Sequence, residues 1–208
     1  MVPKKKGLLF VVSGPSGSGK TTVCRAMTEF FPELYFSVSY TTRPPRPGDQ
    51  EGRDYHFISP EEFQGMIDRE EFAEWAQIYG QRYGTSKILL ETIGNQGRDI
   101  ILDIDGQGAR QLCDHGLSGV FIFFLPPSMG ELRRRLTHRQ TEGRWALEER
   151  VNKARAEMAE ARWYDYMIIN DELEKTQERV KAIILAEHCR RQRNEEVLND
   201  LLQEKIVS

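Results

Sequence analysis

The chain has 208 residues, of which 29% are charged and 39% hydrophobic, and its formal net charge is −3. This composition predicts an ordinary soluble protein with one well-buried core, and no segment is long enough to span a membrane. The slight negative charge argues against a general nucleic-acid binder, so local arginines must hold any anionic ligand. The cysteines Cys24, Cys113 and Cys189 form no C-x-x-C pair, which predicts reduced thiols in the cytoplasm.

The first motif follows an apolar run at residues 8–12 that predicts a buried strand. It fits G-x-x-x-x-G-K-[ST], and a helix is predicted after it at residues 21–31. Backbone N–H groups of such a loop converge on a polyphosphate, with Lys20 reaching the β- and γ-phosphates and Thr21 ligating Mg²⁺. A glycine-rich turn without a ligand is the alternative, which the strand–loop–helix context disfavours. The residues predicted to contact ATP here are Gly14, Pro15, Ser16, Gly17, Ser18, Gly19, Lys20, Thr21 and Thr22.

Short strands and helices are predicted next. An alternating, β-prone stretch at 35–40 predicts a strand, and the Pro/Arg/Gly-rich stretch at 41–52 excludes regular structure. Ser59 and Pro60 predict a helix start, because serine is a good N-cap and proline suits the first helical position. The other predictions in this part are a strand at 55–58, the end of that helix near Arg69, strands at 72–76 and 78–84, and a helix at 88–93 ended by Gly94 and Gly97.

Two longer apolar runs, at 99–105 and 120–125, are typical of parallel strands covered on both faces. The last core strand is predicted at 166–169, and Asp171 is predicted to cap the helix that follows. Alternating strands and helices indicate an α/β fold with a parallel sheet flanked by helices. The other predicted helices lie near 108–114, after residue 128, at about 145–162 beyond a break at 141–143, and as one or two amphipathic turns at 197–202.

Asp103 and Asp105 are predicted at the carboxyl end of one core strand. A carboxylate at this position is costly without a partner, and the expected partner of Asp103 is Mg²⁺. A capped helix end is the alternative. Because side chains two residues apart on a strand face the same side, both carboxylates would look into one cleft at the sheet edge where open α/β sheets bind ligands.

A proline-rich stretch places Arg43 and Arg46 three residues apart. Polyproline II has about three residues per turn, so both guanidinium groups would project from one side and converge on a phosphate. Tyr55 and Tyr83 offer phenolic donors to the remaining oxygens of that phosphate. A solvated basic loop is the alternative.

These motifs together resemble the signature of the guanylate kinases, and the resemblance extends from about residue 7 to the C-terminal helix. It implies a P-loop NTPase fold and Mg²⁺-dependent transfer of the γ-phosphate of ATP to GMP, giving ADP and GDP. The implied parts are a core at 1–36, 91–128 and 165–208, a β-rich GMP-binding insert at 37–90 and a helical lid at about 129–164. Besides the P-loop, the most specific match is Ser39-Tyr40-Thr41-Thr42-Arg43-Pro44-Pro45-Arg46-Pro47-Gly48-Asp49 with Gly52-Arg53-Asp54-Tyr55.

The resemblance also implies which residues hold GMP. Glu74 and Asp105 would accept hydrogen bonds from guanine N1–H and the N2 amine, with Ser39 as a hydroxyl partner. Adenine lacks both donors, so an unpaired buried carboxylate would penalise AMP. A surface carboxylate on a strand is the alternative for Glu74. The other implied GMP contacts are Arg43, Arg46, Asp49, Tyr55, Tyr83 and Thr85, of which Asp49 and Thr85 stand where glutamate and serine are expected.

Further implied roles concern the ATP side. Arg135 and Arg139 are four residues apart, hence on one helical face, and with Arg150 they would close over the triphosphate. A solvated surface is the alternative for Arg150. Gln140 replaces an expected glycine, which would change the flexibility of the hinge. Asn170 would either contact adenine or serve the turn before the C-terminal helix.

Catalysis by this set would need no general base, because the GMP phosphate presents an ionised oxygen near neutral pH. The predicted catalytic residues would align two anions and neutralise charge: Lys20, Arg43, Arg135, Arg139 and Arg150. One alternative is a non-catalytic guanylate-kinase-like protein-binding module, which the intact P-loop and lid disfavour. Another is a P-loop kinase for a different nucleotide or a phosphorylated sugar, which Glu74 and the arginine pair disfavour. The sequence predicts no nucleic-acid or membrane partner and leaves the oligomeric state open.

Overall fold

The structure is a computed structural model that describes residues 5–138 and 144–203. The predictions for Arg139, Gln140 and the break at 141–143 lie outside the described residues. Within the described ranges, no helix combines the length and the apolar character needed to cross a lipid bilayer.

The described residues contain nine strands and eight α-helices. The strands are β1 (Leu9–Ser13), β2 (Tyr35–Phe36), β3 (Tyr40–Thr41), β4 (His56–Phe57), β5 (Phe72–Ile78), β6 (Gln81–Ser86), β7 (Ile100–Asp103), β8 (Val120–Leu125) and β9 (Tyr166–Ile169). The helices are α1 (Lys20–Phe30), α2 (Pro60–Asp68), α3 (Lys87–Asn95), α4 (Gly106–Asp114), α5 (Met129–His138), α6 (Arg144–Ala159), α7 (Leu173–His188) and α8 (Arg191–Gln203). A 3-10 turn at Glu160–Trp163 follows α6.

A parallel five-stranded sheet in the order β2-β7-β1-β8-β9 forms the core. Its central strand is buried from Phe10 to Ser13, and its side chains alternate between two apolar layers. Phe10 and Val12 pack with α1 and α7, whereas Val11 packs with α3 and α4. Burial on both faces explains why these strands are continuously apolar in sequence, and the predicted α/β sheet flanked by helices is confirmed.

A second sheet of four strands, in the order β4-β3-β6-β5, is built from the predicted insert. The single strand predicted at 35–40 is wrong, because the chain leaves the central sheet after Phe36 and enters the second sheet at Tyr40. An alternating pattern of side chains is compatible with pairing in either sheet. The sequence pattern therefore does not reveal that the chain changes from one sheet to the other. The predicted start of α2 is confirmed, since Ser59 Oγ accepts a 3.1 Å hydrogen bond from the Glu62 N–H.

The predicted lid contains α5 and α6, which share a small apolar cluster of Leu132, Leu136, Val151 and Ala154. Two predictions near the C-terminus are wrong. Glu172, not Asp171, occupies the N-cap of α7, and no side chain caps that helix; the Asp171 carboxylate instead accepts from the Glu172 N–H at 2.9 Å. The tail forms a helix of 13 residues rather than one or two turns.

Candidate active site

The loop between β1 and α1 has the backbone shape that its glycines predict. Gly14, Gly17 and Gly19 have φ values of +141°, +83° and +86°, a region that L side chains avoid. A Cβ on Gly14 would lie 2.5 Å from the carbonyl oxygen of Phe124, so the loop also needs glycine for close packing. Gly19 forms the N-cap of α1 without a side-chain bond, which leaves the first N–H groups of the helix for a ligand.

Lys20 folds along this loop. Its Nζ donates to the carbonyl oxygens of Gly14 at 2.7 Å and Pro15 at 3.3 Å. The ammonium group is therefore held at the mouth of the loop, the position that its predicted role with phosphates requires. Thr22 lies next to it in the first turn of α1 and is exposed.

Asn170 stabilises the P-loop through a side-chain hydrogen bond. The side chain is buried, and its Nδ2 donates to the Ser18 carbonyl oxygen at 2.5 Å. A Cβ on Gly19 would collide with the same nitrogen. The Asn170 backbone is itself held, because its N–H donates to Leu125 O at 2.8 Å and its carbonyl oxygen accepts from Arg135 Nη2 at 3.2 Å. Asn170 thus supports the P-loop, a role beyond the two that the sequence offered.

Thr21 and Asp103 meet at the carboxyl end of the sheet, where the Thr21 hydroxyl donates to the Asp103 carboxylate. Strand pairing brings them together, since Asp103 on β7 lies opposite Val12 on β1, just before the loop. A hydroxyl and a carboxylate are oxygen donors suited to Mg²⁺. No group of three or more His, Cys, Asp or Glu side chains among the described residues could hold a metal ion. The pair therefore fits an ion that takes its other ligands from phosphates and water.

Asp105 lines the same cleft but belongs to a different structural element than predicted. β7 ends at Asp103, so the two carboxylates are not alternate residues of one strand. Asp105 is instead the N-cap of α4, where its Oδ1 accepts from the Gly108 N–H at 2.9 Å. Both carboxylates still line one cleft, as expected.

Arg43 and Asp49 form a pair within the proline-rich loop. Arg43 Nη2 donates to Asp49 Oδ2 at 2.8 Å, and the same oxygen accepts from the Arg46 N–H at 2.8 Å. The Arg46 N–H and the Arg43 guanidinium lower the pKa of Asp49, so the carboxylate stays charged. In this arrangement Asp49 orients Arg43, whereas the sequence predicted a direct substrate contact.

Two tyrosines complete this side of the cleft. The Tyr55 and Tyr83 rings meet edge to face at 5.7 Å, and the Arg43 guanidinium lies 5.2 Å from the Tyr55 ring centre. Burial, with the nearby Asp103 charge, raises the pKa of Tyr55 to about 12, so its phenol remains a hydrogen-bond donor at neutral pH. Both tyrosines and Arg46 line the cleft.

Glu74 is only 4% exposed, which excludes the surface-carboxylate alternative. The Thr85 hydroxyl donates to Glu74 Oε1 at 2.5 Å, so threonine supplies the group expected from serine. Burial, with the Asp105 charge, raises the pKa of Glu74 to about 7. A Cβ on Gly108 would collide with the other oxygen, so this glycine makes room for the carboxylate. Sequence reasoning missed Gly108, and its position two residues inside a helix carried no signal.

The cleft has a volume of about 390 Å³ and lies between the core, the insert and the lid. Its lining comes from the P-loop and Asp103 of the core, from Ser39 and Glu74 of the insert, and from α6 of the lid. A larger cavity of about 1240 Å³ lies at the amino ends of the core strands and shares only Glu74 with the predicted site residues. Convergent polar groups, rather than size, therefore identify the candidate site.

Three cleft residues with polar or charged side chains were missed by sequence reasoning: Tyr79, Lys153 and Glu157. Lys153 and Glu157 lie one turn apart on α6, on the face that also carries the predicted Arg150. Burial raises the pKa of Glu157. Their spacing predicts a shared helical face. The apolar content of this helix is low, however, so sequence reasoning did not identify which face meets the cleft.

The remaining lid arginines divide into two groups. Arg135 donates from Nε to Glu131 Oε1 at 2.7 Å and lies against Asn170, beside the P-loop. Arg133 and Arg134 pair with Glu148 and Glu131 near the surface. Arg139 lies outside the described residues. Arg135 on α5 thus lies beside the P-loop through Asn170, whereas Arg150 on α6 lines the cleft.

Comparisons with known proteins agree with this geometry. The sequence model of the family described as "Guanylate kinase" matches residues 6–187. A guanylate kinase of Geobacter sulfurreducens is 52% identical over 90% of this chain and 92% of its own length. One of Caldanaerobacter subterraneus is 43% identical over 98% of each chain. The crystal structure of a guanylate kinase from Anaplasma phagocytophilum superposes with a TM-score of 0.80 at 34% identity, covering 97% of this chain and 96% of that one.

Proposed function

The chain belongs to the guanylate kinase family, and on this premise we propose how its residues phosphorylate GMP. It is an ATP:GMP phosphotransferase, a nucleoside monophosphate kinase. The assignment to residues rests chiefly on one observation, the buried Glu74 carboxyl that faces the cleft across from the P-loop. The binding-module alternative gains no support, because the relatives carry the name of the enzyme.

The guanine end of GMP binds at Glu74. An ionised carboxylate accepts hydrogen bonds from N1–H and the N2 amine of guanine, and adenine offers neither donor. Thr85 orients the carboxylate, while Asp105 and Ser39 complete the polar surface around the base. Selectivity against AMP follows from the cost of leaving a buried carboxylate unpaired.

The GMP phosphate binds between Arg43, Arg46, Tyr55 and Tyr83. The supporting observation is that Arg46 and both tyrosines line one cleft, with Arg43 packed against the Tyr55 ring. Guanidinium groups suit phosphate oxygens, and protonated phenols add two donors. Asp49 holds Arg43 in place from the far side of the loop.

The triphosphate of ATP binds along the P-loop from Gly14 to Thr22, and Mg²⁺ is held by Thr21 and Asp103. Bound there, Mg²⁺ would neutralise charge on the β- and γ-phosphate oxygens. Asn170 maintains the loop through its bond to Ser18. Its buried amide supports this structural role more directly than a contact with adenine.

Phosphoryl transfer then requires alignment rather than a base. An oxygen of the GMP phosphate attacks the γ-phosphorus of ATP, and the bond from that phosphorus to the β–γ bridging oxygen breaks, giving GDP and ADP. Lys20, Arg43, Arg135 and Arg150 neutralise the charge that spreads over the transferred group, and Arg139 is proposed to join them from the lid. Sequestration under α6 would exclude water as a competing acceptor.

A substrate panel tests this proposal. Formation of ADP from Mg-ATP is measured with GMP, AMP, UMP and CMP in turn. GMP is expected to react at least about a thousandfold faster than AMP at equal concentration, because sites built around a substrate hydrogen bond reject analogues that lack it. Comparable rates with AMP would contradict the role of Glu74.

Asp103→Asn tests the metal pair. The variant keeps the size of the side chain and its bond to Thr21 but loses the negative charge, so we expect kcat to fall about a hundredfold and the Mg²⁺ requirement to rise. The measurement is a Mg²⁺ titration of the rate at saturating ATP and GMP, with Asp114→Asn on the exposed end of α4 as the matched control. An unchanged titration in Asp103→Asn would exclude this residue from metal binding.

We also infer a cytoplasmic location and small-molecule substrates only. The inference is supported by three free cysteines, of which Cys24 is buried while Cys113 and Cys189 are exposed and unpaired with each other. The net charge of −3 gives no reason to expect a nucleic-acid partner.

A further inference from the structure

The tip of the insert hairpin contacts the lid helix. Tyr79 lies in the turn between β5 and β6, and two cations of α6 lie over its ring. The Arg150 guanidinium carbon is 5.1 Å and Lys153 Nζ is 4.9 Å from the ring centre. All three residues line the cleft, so this contact joins the insert to the lid beside the proposed nucleotide site.

The backbone conformation of Tyr79 does not explain why a tyrosine occupies this turn position. Its φ is +50°, in the left-handed region, and it is followed by Gly80 with φ +79°. Asparagine, aspartate and glycine are favoured in such hairpin turns, whereas an aromatic residue is disfavoured. The side chain is also 50% exposed, so it does not fill a core. Contact with the lid is the observation that accounts for an aromatic ring at this position.

The charges around the ring support an attractive contact. Arg150 and Lys153 are three residues apart on one face of α6, and like charges so placed repel each other. The negative face of an aromatic ring offsets this repulsion when both cations share it. Glu157 lies 3.9 Å from Lys153 Nζ and adds a second attraction on the same face. The two cations are thereby held above the cleft.

We propose that Tyr79 is a positioning residue that latches the lid helix over the bound nucleotides, an inference that rests on the proposed function. The latch favours the arrangement in which Arg150 lies over the cleft that holds both phosphate sites. A protein that spends more time in this arrangement binds its substrates more tightly, because apparent affinity scales with the competent fraction. Because the latch acts through the position of the lid, it is expected to affect both substrates.

Tyr79→Ala and Tyr79→Phe test the latch by steady-state kinetics. Tyr79→Ala is expected to lower kcat/KM about tenfold for GMP and for ATP alike, since one exposed ring shared by two cations contributes on that scale. Tyr79→Phe keeps the ring face and is expected to retain more of the parent kcat/KM than Tyr79→Ala does. Phe30→Ala is the matched control, because Phe30 is an exposed aromatic residue under Lys181 on the core. No change is expected in this control.

A second measurement does not depend on catalysis. Amide hydrogen exchange of α6 in the substrate-free protein is expected to be faster in Tyr79→Ala and in Lys153→Gln than in the parent, and the double variant should add little to either. Unchanged exchange together with unchanged kcat/KM in Tyr79→Ala would overturn the latch. A loss for GMP alone would also overturn it, since that pattern belongs to a substrate contact. If the parent protein transferred no phosphate, the proposed function would fail, and exchange alone would decide the latch.

Discussion

Lys20→Ala is expected to lower kcat for phosphoryl transfer about a thousandfold while the protein stays folded. The ammonium group lies at the mouth of the P-loop, held by the carbonyl oxygens of Gly14 and Pro15. It would stabilise charge that develops on the transferred phosphoryl group, and removing one such donor costs about a hundredfold to a thousandfold in kcat. Rates at varied ATP and GMP concentrations give kcat and both KM values.

The control for this variant is Lys175→Ala, which removes an exposed lysine of α7 that pairs with Glu172. Its kinetics should match those of the parent protein. Urea unfolding of Lys20→Ala should show a midpoint close to that of the parent, because the side chain packs on the surface of the loop. A near-normal kcat in a folded Lys20→Ala protein would contradict the proposed role of the P-loop lysine in phosphoryl transfer.

Glu74→Gln is expected to lower kcat/KM for GMP by about a hundredfold to a thousandfold and to leave the KM for ATP nearly unchanged. The amide keeps one oxygen for the Thr85 hydroxyl, but its NH₂ group opposes a guanine donor, and hydrogen bonds to charged groups contribute about 1.5–3 kcal/mol each. Glu187→Gln is the matched control, because Glu187 is also buried, at 5% exposure, but pairs with Tyr166 and Arg190. Equal losses for ATP and GMP would contradict a base-reading role.

The pH dependence of stability gives a second test of Glu74. Burial raises its pKa from 4.5 to about 7, so the folded protein keeps this proton where the unfolded chain has released it. The stabilisation is fully present below about pH 4.5 and is lost as the pH rises through about 7, by up to about 3 kcal/mol in total. Urea unfolding between about pH 5 and pH 8 should show this decline in the parent protein, and the decline should be smaller in Glu74→Gln.

GMP binding should show the opposite trend. Guanine needs the ionised carboxylate, so GMP affinity is expected to fall about tenfold for each unit of pH below about 7. The second ionisation of the GMP phosphate, near pH 6, also contributes to the slope. In Glu74→Gln, the pH dependence of GMP affinity measured by titration calorimetry reflects only the ionisation of the GMP phosphate. The difference in slope between the parent protein and this variant therefore gives the contribution of Glu74. Parallel slopes would exclude a pKa near neutrality for this residue.

Local patterns in the sequence were enough to predict much of the core. The strand at 120–125, the strand at 166–169 and the Ser59 cap of α2 were all predicted correctly. Apolar runs, glycines with positive φ and serine caps each depend on only a few neighbouring residues. They can therefore be recognised in the sequence without knowledge of the tertiary structure. The spacing within the P-loop and between Arg43 and Arg46 is informative for the same reason, and the roles of these residues with phosphates stay predictions.

Tertiary structure decided which of these groups meet. The chain between Phe36 and Tyr40 passes from one sheet to another, Asp105 caps α4 instead of extending β7, and Asn170 supports a loop more than 150 residues earlier. Each outcome depends on a partner that is distant in sequence, and local sequence periodicity does not identify that partner. The face of α6 that meets Tyr79 was hidden for a related reason. Val151 and Ala154 pack α6 against α5, and this packing leaves Arg150 and Lys153 over the Tyr79 ring, a partner about 70 residues earlier that the low apolar content of the helix did not reveal.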